Sequence, residues 1–130
     1  MSHWLRGWGP ALVCAALIFF ASSRPTLPVA LDSGTDKLAH FGAYAVLGFA
    51  LGHARAAFGL SPAVATLIGG LYALSDEVHQ SFVPGRSPDF GDWVADALGI
   101  LAGLFAHHLW RHRKRPGHGG RGVAGNSAHT

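Results

Sequence analysis

Long apolar stretches, separated by proline and glycine breaks, occupy most of the chain and limit what it can fold into. Segments such as WGPALVCAALIFFAS, ATLIGGLYAL and ALGILAGLFA carry no charged side chain. Only 13% of the 130 residues are charged, whereas about a quarter are charged in an average soluble domain. This length and composition are typical of a single domain that lies in a membrane.

Helix start signals divide the apolar stretches into four predicted helices. Ser61-Pro62 and Ser87-Pro88 each join a capping serine to a proline, which fits the first turn of a helix. The predicted helices cover about residues 8–22, 37–57, 62–81 and 89–110. We predict an all-α, integral membrane four-helix bundle with a disordered basic C-terminal tail. The transmembrane domain covers residues 1–112 and the glycine-rich tail covers residues 113–130.

The ends of the chain predict its orientation in a membrane. The first apolar segment is short enough to be a secretory signal, but the flanking Trp4 and Trp8 favour a retained helix with interfacial anchors. Seven basic residues lie on the side that would hold both termini and three on the other side. This difference fits the positive-inside rule and predicts that both termini are cytoplasmic. The basic C-terminus therefore indicates topology rather than nucleic-acid binding.

Acidic residues are concentrated in SDEVHQSFVPGRSPDFGDWVADALG, residues 75–99, which holds five of the seven acids. The five are Asp76, Glu77, Asp89, Asp92 and Asp96. A charge near the centre of a bilayer costs roughly 2.5 to 3.5 kcal/mol, so acids kept there are expected to have partners or a task. Asp89 and Asp92 have a second explanation, because anions stabilise the first turn of a helix.

Polar side chains recur at helical spacing on three of the predicted helices. The stripes are Asp36, His40 and Tyr44 with the adjacent Lys37, then Tyr72, Asp76 and Gln80, then Asp89, Asp92 and Asp96. Residues three or four apart share one face of a helix. Because all three stripes lie toward the same ends of their helices, we predict that they form one polar pocket at the outer membrane surface.

The charges in this pocket leave several kinds of chemistry open. Lys37 and Arg86 could form ion pairs that only hold the helices together, and Arg86 could instead bind a phosphate or carboxylate. Two cations leave carboxylates over, which could be protonated, bind a divalent metal or act in acid/base catalysis. Asp76 and Glu77 are the catalytic candidates. No cofactor motif is evident, and His108 and His112 are interpreted as a solvated helix end despite their metal-like spacing.

The order and spacing of these polar motifs resemble the VanZ-like family, small bacterial membrane proteins named for a protein that raises resistance to teicoplanin. The matching positions are Asp36, Lys37, His40 and Phe41, then Asp76, Glu77 and Gln80, then Gly85, Arg86, Asp89 and Asp92. The resemblance covers about residues 22–105. It implies an integral membrane protein, often of four helices, linked to low-level teicoplanin resistance. Asp96 departs from the family pattern, where asparagine is often expected.

Two functions therefore stand as expectations, beside a purely structural or accessory membrane role. In the first, the pocket binds an anionic envelope component or the lipid-anchored glycopeptide and changes antibiotic access. In the second, the protein is an enzyme that acts on a lipid-linked phosphate or cell-wall precursor, with Lys37 and Arg86 holding the anion. The expected partners are membrane lipids and such a ligand, without nucleic acid. The expected location is the bacterial cytoplasmic membrane, and the oligomeric state is left open.

Overall fold

Four α-helices, without a β-strand, make up the part of the chain that the structure describes. The computed structural model describes residues 1–25 and 33–115. Its helices are α1 (His3–Ser22), α2 (Ser33–Phe58), α3 (Pro62–Gln80) and α4 (Phe90–Lys114). The prediction of an all-α chain with four helices is confirmed over these residues.

Three of the helices extend beyond their predicted ends. α1 begins earlier because Ser2 caps it, its hydroxyl accepting a hydrogen bond from Leu5 N at 3.4 Å. α2 begins at Ser33 and not near residue 37. α4 continues to Lys114, since basic residues stabilise the C-terminal end of a helix dipole. Arg113 and Lys114 are therefore helical, although the predicted tail included them, and the tail from residue 116 lies outside the described residues.

The N-terminal ends of α3 and α4 are capped in different ways. Ser61 caps α3 by accepting a hydrogen bond from Val64 N at 3.2 Å, with Pro62 in the first turn as predicted. The cap of α4 is Asp89 and not Ser87, because the Asp89 carboxylate accepts from Gly91 N at 2.8 Å. The short connection before it turns at Gly85, whose φ of 78° is in the left-handed region that glycine adopts readily.

Close contact between α2 and α4 forms the centre of the bundle, and glycines on both helices permit it. A Cβ atom added at Gly103 would overlap the carbonyl oxygen of Ala45 on α2. One added at Gly99 would lie 2.5 Å from the carbonyl oxygen of Phe41. One added at Gly48 would lie 2.9 Å from the Cα atom of Ile100. The backbones of α2 and α4 therefore touch along several turns.

The distribution of polar and apolar side chains is inverted relative to that of an average soluble domain. Seven polar or charged residues are buried: Ser22, Asp76, Glu77, Gln80, Asp92, Asp96 and His107. Large apolar side chains cover the outside of every helix, as at Leu17 (65% exposed), Leu67 (59%) and Leu101 (49%). Within the described residues, α1 is the helix whose length and apolar composition suffice to cross a membrane.

Candidate polar site

The polar stripes converge at one end of the bundle. The beginnings of α2 and α4 and the C-terminal ends of α1 and α3 meet there, because successive helices run in opposite directions. Gln80, at the end of α3, donates from Nε2 to the Ser22 hydroxyl of α1 at 3.3 Å. Lys37 of α2 contacts Asp92 of α4. We call this region, with the carboxylates between α2, α3 and α4, the acidic pocket.

Lys37 joins α2 to the beginning of α4. Its Nζ atom lies 3.1 Å from Asp89 Oδ2 and 3.1 Å from Asp92 Oδ1. The hydrogen bond from Lys37 is the main reason that the pKa of the Asp89 carboxyl is lowered, and the bond from Gly91 N acts in the same direction. Both carboxylates are thus paired with Lys37. The ion-pair interpretation holds for Lys37, whose charge is already shared between two acids.

His40 lies one turn further into the bundle and contacts two carboxylates. Its Nδ1 atom is 2.8 Å from Asp96 Oδ1, and its Nε2 atom is 3.8 Å from Asp92 Oδ2. Asp96 is completely buried. An acid in that position needs a partner, since burying an unpaired charge is costly. His40 supplies that partner, so these two residues form the innermost polar pair between α2 and α4.

The two predicted catalytic carboxylates lie in different environments. Asp76 accepts a hydrogen bond from the Tyr44 hydroxyl at 2.8 Å, and both side chains are buried. Glu77 uses its Oε2 atom to accept from Asp89 N at 3.2 Å, which ties the end of α3 to the cap of α4. Asp76 is therefore held in a fixed position by Tyr44, whereas Glu77 keeps one oxygen directed into the acidic pocket.

Two buried carboxylate oxygens, Glu77 Oε1 and Asp96 Oδ2, lack a hydrogen-bond partner among the described residues. Glu77 and Asp96 also form a group with His40, in which one ligand atom of each residue lies within 4.8 Å of the others. Asp36, His40 and Asp92 form a second, more exposed group with the same spacing. One imidazole with two carboxylates is a donor set that suits Mn²⁺ or Zn²⁺. The chemistry of the buried group therefore fits a divalent cation.

Arginines lie at the edge of this region. The Arg86 side chain donates from Nε to the backbone carbonyl oxygen of Arg24 at 3.1 Å. Arg86 forms no ion pair with an acid within residues 1–25 and 33–115, unlike Lys37. Arg24 and Ser22, at the end of α1, are neighbours of the site that sequence reasoning missed. No periodic signal marks them, because their position depends on how α1 packs against α3.

The site contains many acceptors and few donors. The carboxylates of Asp76, Glu77, Asp92 and Asp96 are buried there, and Lys37 pairs with Asp92. Such a surface accepts hydrogen bonds from hydroxyl or ammonium groups. The guanidinium group of Arg86 at the edge matches phosphate or carboxylate. The carboxylates and the guanidinium group are adjacent, so one molecule that carries both hydroxyl groups and an anionic group could contact them together.

The fold and the site define a class of protein: an all-helical bundle with an apolar exterior and an acidic pocket at one end. The chain belongs to the VanZ/LLP1 family, whose model matches residues 8–111. The resemblance seen in the sequence motifs is thereby confirmed. No curated protein and no solved structure matches the chain.

Proposed function

We propose that this protein spans the bacterial cytoplasmic membrane several times, and that its acidic pocket binds an anionic, lipid-linked component of the cell envelope. The observation that carries the proposal is the inverted side-chain distribution. Asp96 is 0% exposed inside the bundle, while Leu17, Leu67 and Leu101 are about half exposed or more on its outside. A bilayer accommodates such a molecule, because lipid covers the apolar exterior and polar groups inside find each other.

The proposal includes α2, α3 and α4 as spans although their composition is more polar than that of α1. Their polar residues are directed inward, as at Asp76, Glu77 and Asp92. Their outward faces are apolar, as at Val46, Leu71 and Leu98, which are 61%, 57% and 54% exposed. Average hydropathy does not distinguish the two faces of a helix, whereas the lipid contacts only one of them.

The proposed orientation has both termini in the cytoplasm and the acidic pocket at the outer surface. Arg6, Arg55 and the basic end of α4 lie at the end of the bundle opposite the pocket. Basic residues are enriched on the cytoplasmic side of membrane proteins. Envelope precursors that have crossed the membrane, and antibiotics that bind them, would then meet the pocket from outside.

The class of ligand follows from two adjacent groups of side chains, the arginines at the edge of the site and the carboxylates inside it. Arg86 and Arg24 would contact the anionic group, because a guanidinium binds phosphate or carboxylate with two parallel hydrogen bonds. The carboxylates of the acidic pocket would accept hydrogen bonds from sugar hydroxyl groups. A divalent metal ion held by His40, Glu77 and Asp96 is part of the proposal, since it would reduce repulsion between the acids and the anion.

An effect on teicoplanin susceptibility is the functional test of this proposal. In a sensitive Gram-positive host, expression of the wild type is expected to raise the teicoplanin concentration that inhibits growth. Arg86→Ala is expected to remove most of that protection, because a charge-assisted hydrogen bond contributes roughly 1.5 to 3 kcal/mol to binding. Arg113→Ala, at the other end of the molecule, is the matched control and is expected to protect like the wild type.

Immunoblots of membrane fractions would establish equal amounts of the three proteins. Equal protection by Arg86→Ala and the wild type would contradict the assigned role of Arg86. Absence of protection by the wild type would contradict the link to this antibiotic. If Glu77→Gln abolishes protection as well, the ionisable carboxyl of Glu77 is required, either for acid/base chemistry or as a metal ligand, because glutamine keeps the shape and the hydrogen-bonding oxygen but cannot ionise.

A further inference from the structure

A cavity lies at the end of the bundle opposite the acidic pocket, between the end of α2 and the end of α4. It is lined by Arg55, His107, His108, Arg111, His112 and Arg115. All six side chains are basic, and no carboxylate of the described residues lines the cavity. We call it the basic cavity. Positive charges that face one another across a cavity repel, and an anion between them offsets this repulsion.

Two buried nitrogen atoms of the basic cavity have no hydrogen-bond partner among the described residues. They are Arg55 Nε, in the last turn of α2, and His107 Nε2 on α4. His107 is only 2% exposed, so its ring is held inside the bundle with an unused polar atom. Buried polar groups in native proteins are nearly always hydrogen-bonded, and these two belong to residues that line one cavity.

Nearby basic residues differ from those of the cavity. Lys114 lies over the ring of Trp110, with Nζ 4.4 Å from the ring centroid, and it does not line the cavity. Arg113 is on the same turn of α4 and does not line it either. Basic residues near a helix C-terminus stabilise the helix through its dipole, whichever way their side chains are directed. That effect accounts for Arg113 and Lys114, but it does not explain why the unpartnered Arg55 and His107 converge on a cavity.

We infer that the basic cavity binds a phosphate-bearing anion, through the guanidinium groups of Arg55 and Arg111 and the imidazole of His107. A phosphate offers several acceptor oxygens and matches the fork of an arginine side chain. In the proposed orientation the cavity faces the cytoplasm. The phosphate could then belong to the headgroup of an anionic lipid, which attracts basic residues at that surface, or to a soluble anion.

Phosphate binding is to be measured on the full chain, without an affinity tag, in nanodiscs of neutral phosphatidylcholine. Inorganic phosphate is titrated at constant ionic strength, and thermal unfolding is followed by tryptophan fluorescence. The Tm of the wild type is expected to rise with phosphate. Arg111→Gln is expected to weaken phosphate binding by at least about tenfold, because it removes a charge-assisted contact. Arg113→Gln removes the same charge outside the cavity and is expected to bind within about twofold of the wild type.

A second arm identifies the source of the phosphate. In this arm, nanodiscs that contain phosphatidylglycerol are used without soluble phosphate. If the lipid raises the Tm of the wild type and of Arg113→Gln but not that of Arg111→Gln, the cavity binds a lipid headgroup. His107→Gln, which retains a hydrogen-bonding side chain, provides a second variant if Arg111→Gln does not fold. Absence of any rise in the wild type in both arms, or equal rises in Arg111→Gln and Arg113→Gln, would overturn the inference. Either result leaves the acidic pocket untested, since the two sites lie at opposite ends of the bundle.

Discussion

Replacing Gly103 by alanine is expected to separate α2 from α4 and to remove most of the folded protein from the membrane. The added Cβ atom would overlap the carbonyl oxygen of Ala45 and would lie 2.5 Å from the backbone nitrogen of Phe49. Backbone atoms cannot move aside as a side chain can. We therefore expect a loss of at least about 3 kcal/mol, the upper end of the range for overpacked cores. The measurement is unfolding in mixed micelles by titration with dodecyl sulfate.

Gly42→Ala is the matched control, because it makes the same substitution within α2. A Cβ atom at Gly42 meets no other atom within 4 Å. Alanine forms helices better than glycine by about 1 kcal/mol, so this variant is expected to equal or exceed the wild type in stability. If Gly103→Ala and Gly42→Ala unfold at the same detergent fraction, this result would contradict the close contact between the backbones of α2 and α4.

His40→Leu is expected to destabilise the protein by about 3 to 5 kcal/mol, the cost of breaking a buried ion pair by removing one partner. Asp96 is completely buried, and His40 Nδ1 lies 2.8 Å from its carboxylate. Leucine would leave that carboxylate without its partner. Unfolding is measured in the presence of a chelator, so that metal binding does not contribute. His53→Leu changes an exposed histidine on the same helix, whose Nε2 atom lies 3.2 Å from the carbonyl oxygen of Arg6. It is expected to cost no more than about 0.5 to 1.5 kcal/mol, the contribution of one hydrogen bond.

The double variant His40→Leu/Asp96→Val separates a pairing effect from a packing effect. Because it removes both partners, most of the lost stability is expected to return. A double variant no more stable than His40→Leu would mean that the two residues do not act as a pair. Added Mn²⁺ is expected to stabilise the wild type but not His40→Leu, if His40 is a metal ligand as proposed.

The helices and the convergence of the polar stripes follow from periodicity, which is a local property of the sequence. Asp36, His40 and Tyr44 recur every fourth residue, and the structure directs them toward α3 and α4. The prolines and serines between the apolar stretches predicted how many helices form. Their ends were predicted less well, since Asp89 and not Ser87 caps α4.

Contacts that no periodic pattern marks could not be predicted, because they depend on tertiary packing. Arg86 donates to a backbone carbonyl of Arg24 rather than to an acid. Any backbone carbonyl can accept such a bond, so no residue type signals it. His107 posed a similar problem, since on sequence alone it is one more histidine beside a basic helix end. Its burial arises from the close approach of α2, where a Cβ atom at Gly52 would lie 2.7 Å from His107 Cβ.

Site-specific labelling tests the central claim, a multi-pass membrane protein whose acidic pocket faces outward. Cys14 is the single cysteine, so Cys14→Ser provides a background without thiols. Ser87→Cys adds one thiol beside the acidic pocket, and Arg113→Cys adds one at the opposite end. With a membrane-impermeant maleimide, Ser87→Cys is expected to label in intact cells and Arg113→Cys only after permeabilisation. Equal labelling of both in intact cells, or recovery of the protein in the soluble fraction, would contradict the account.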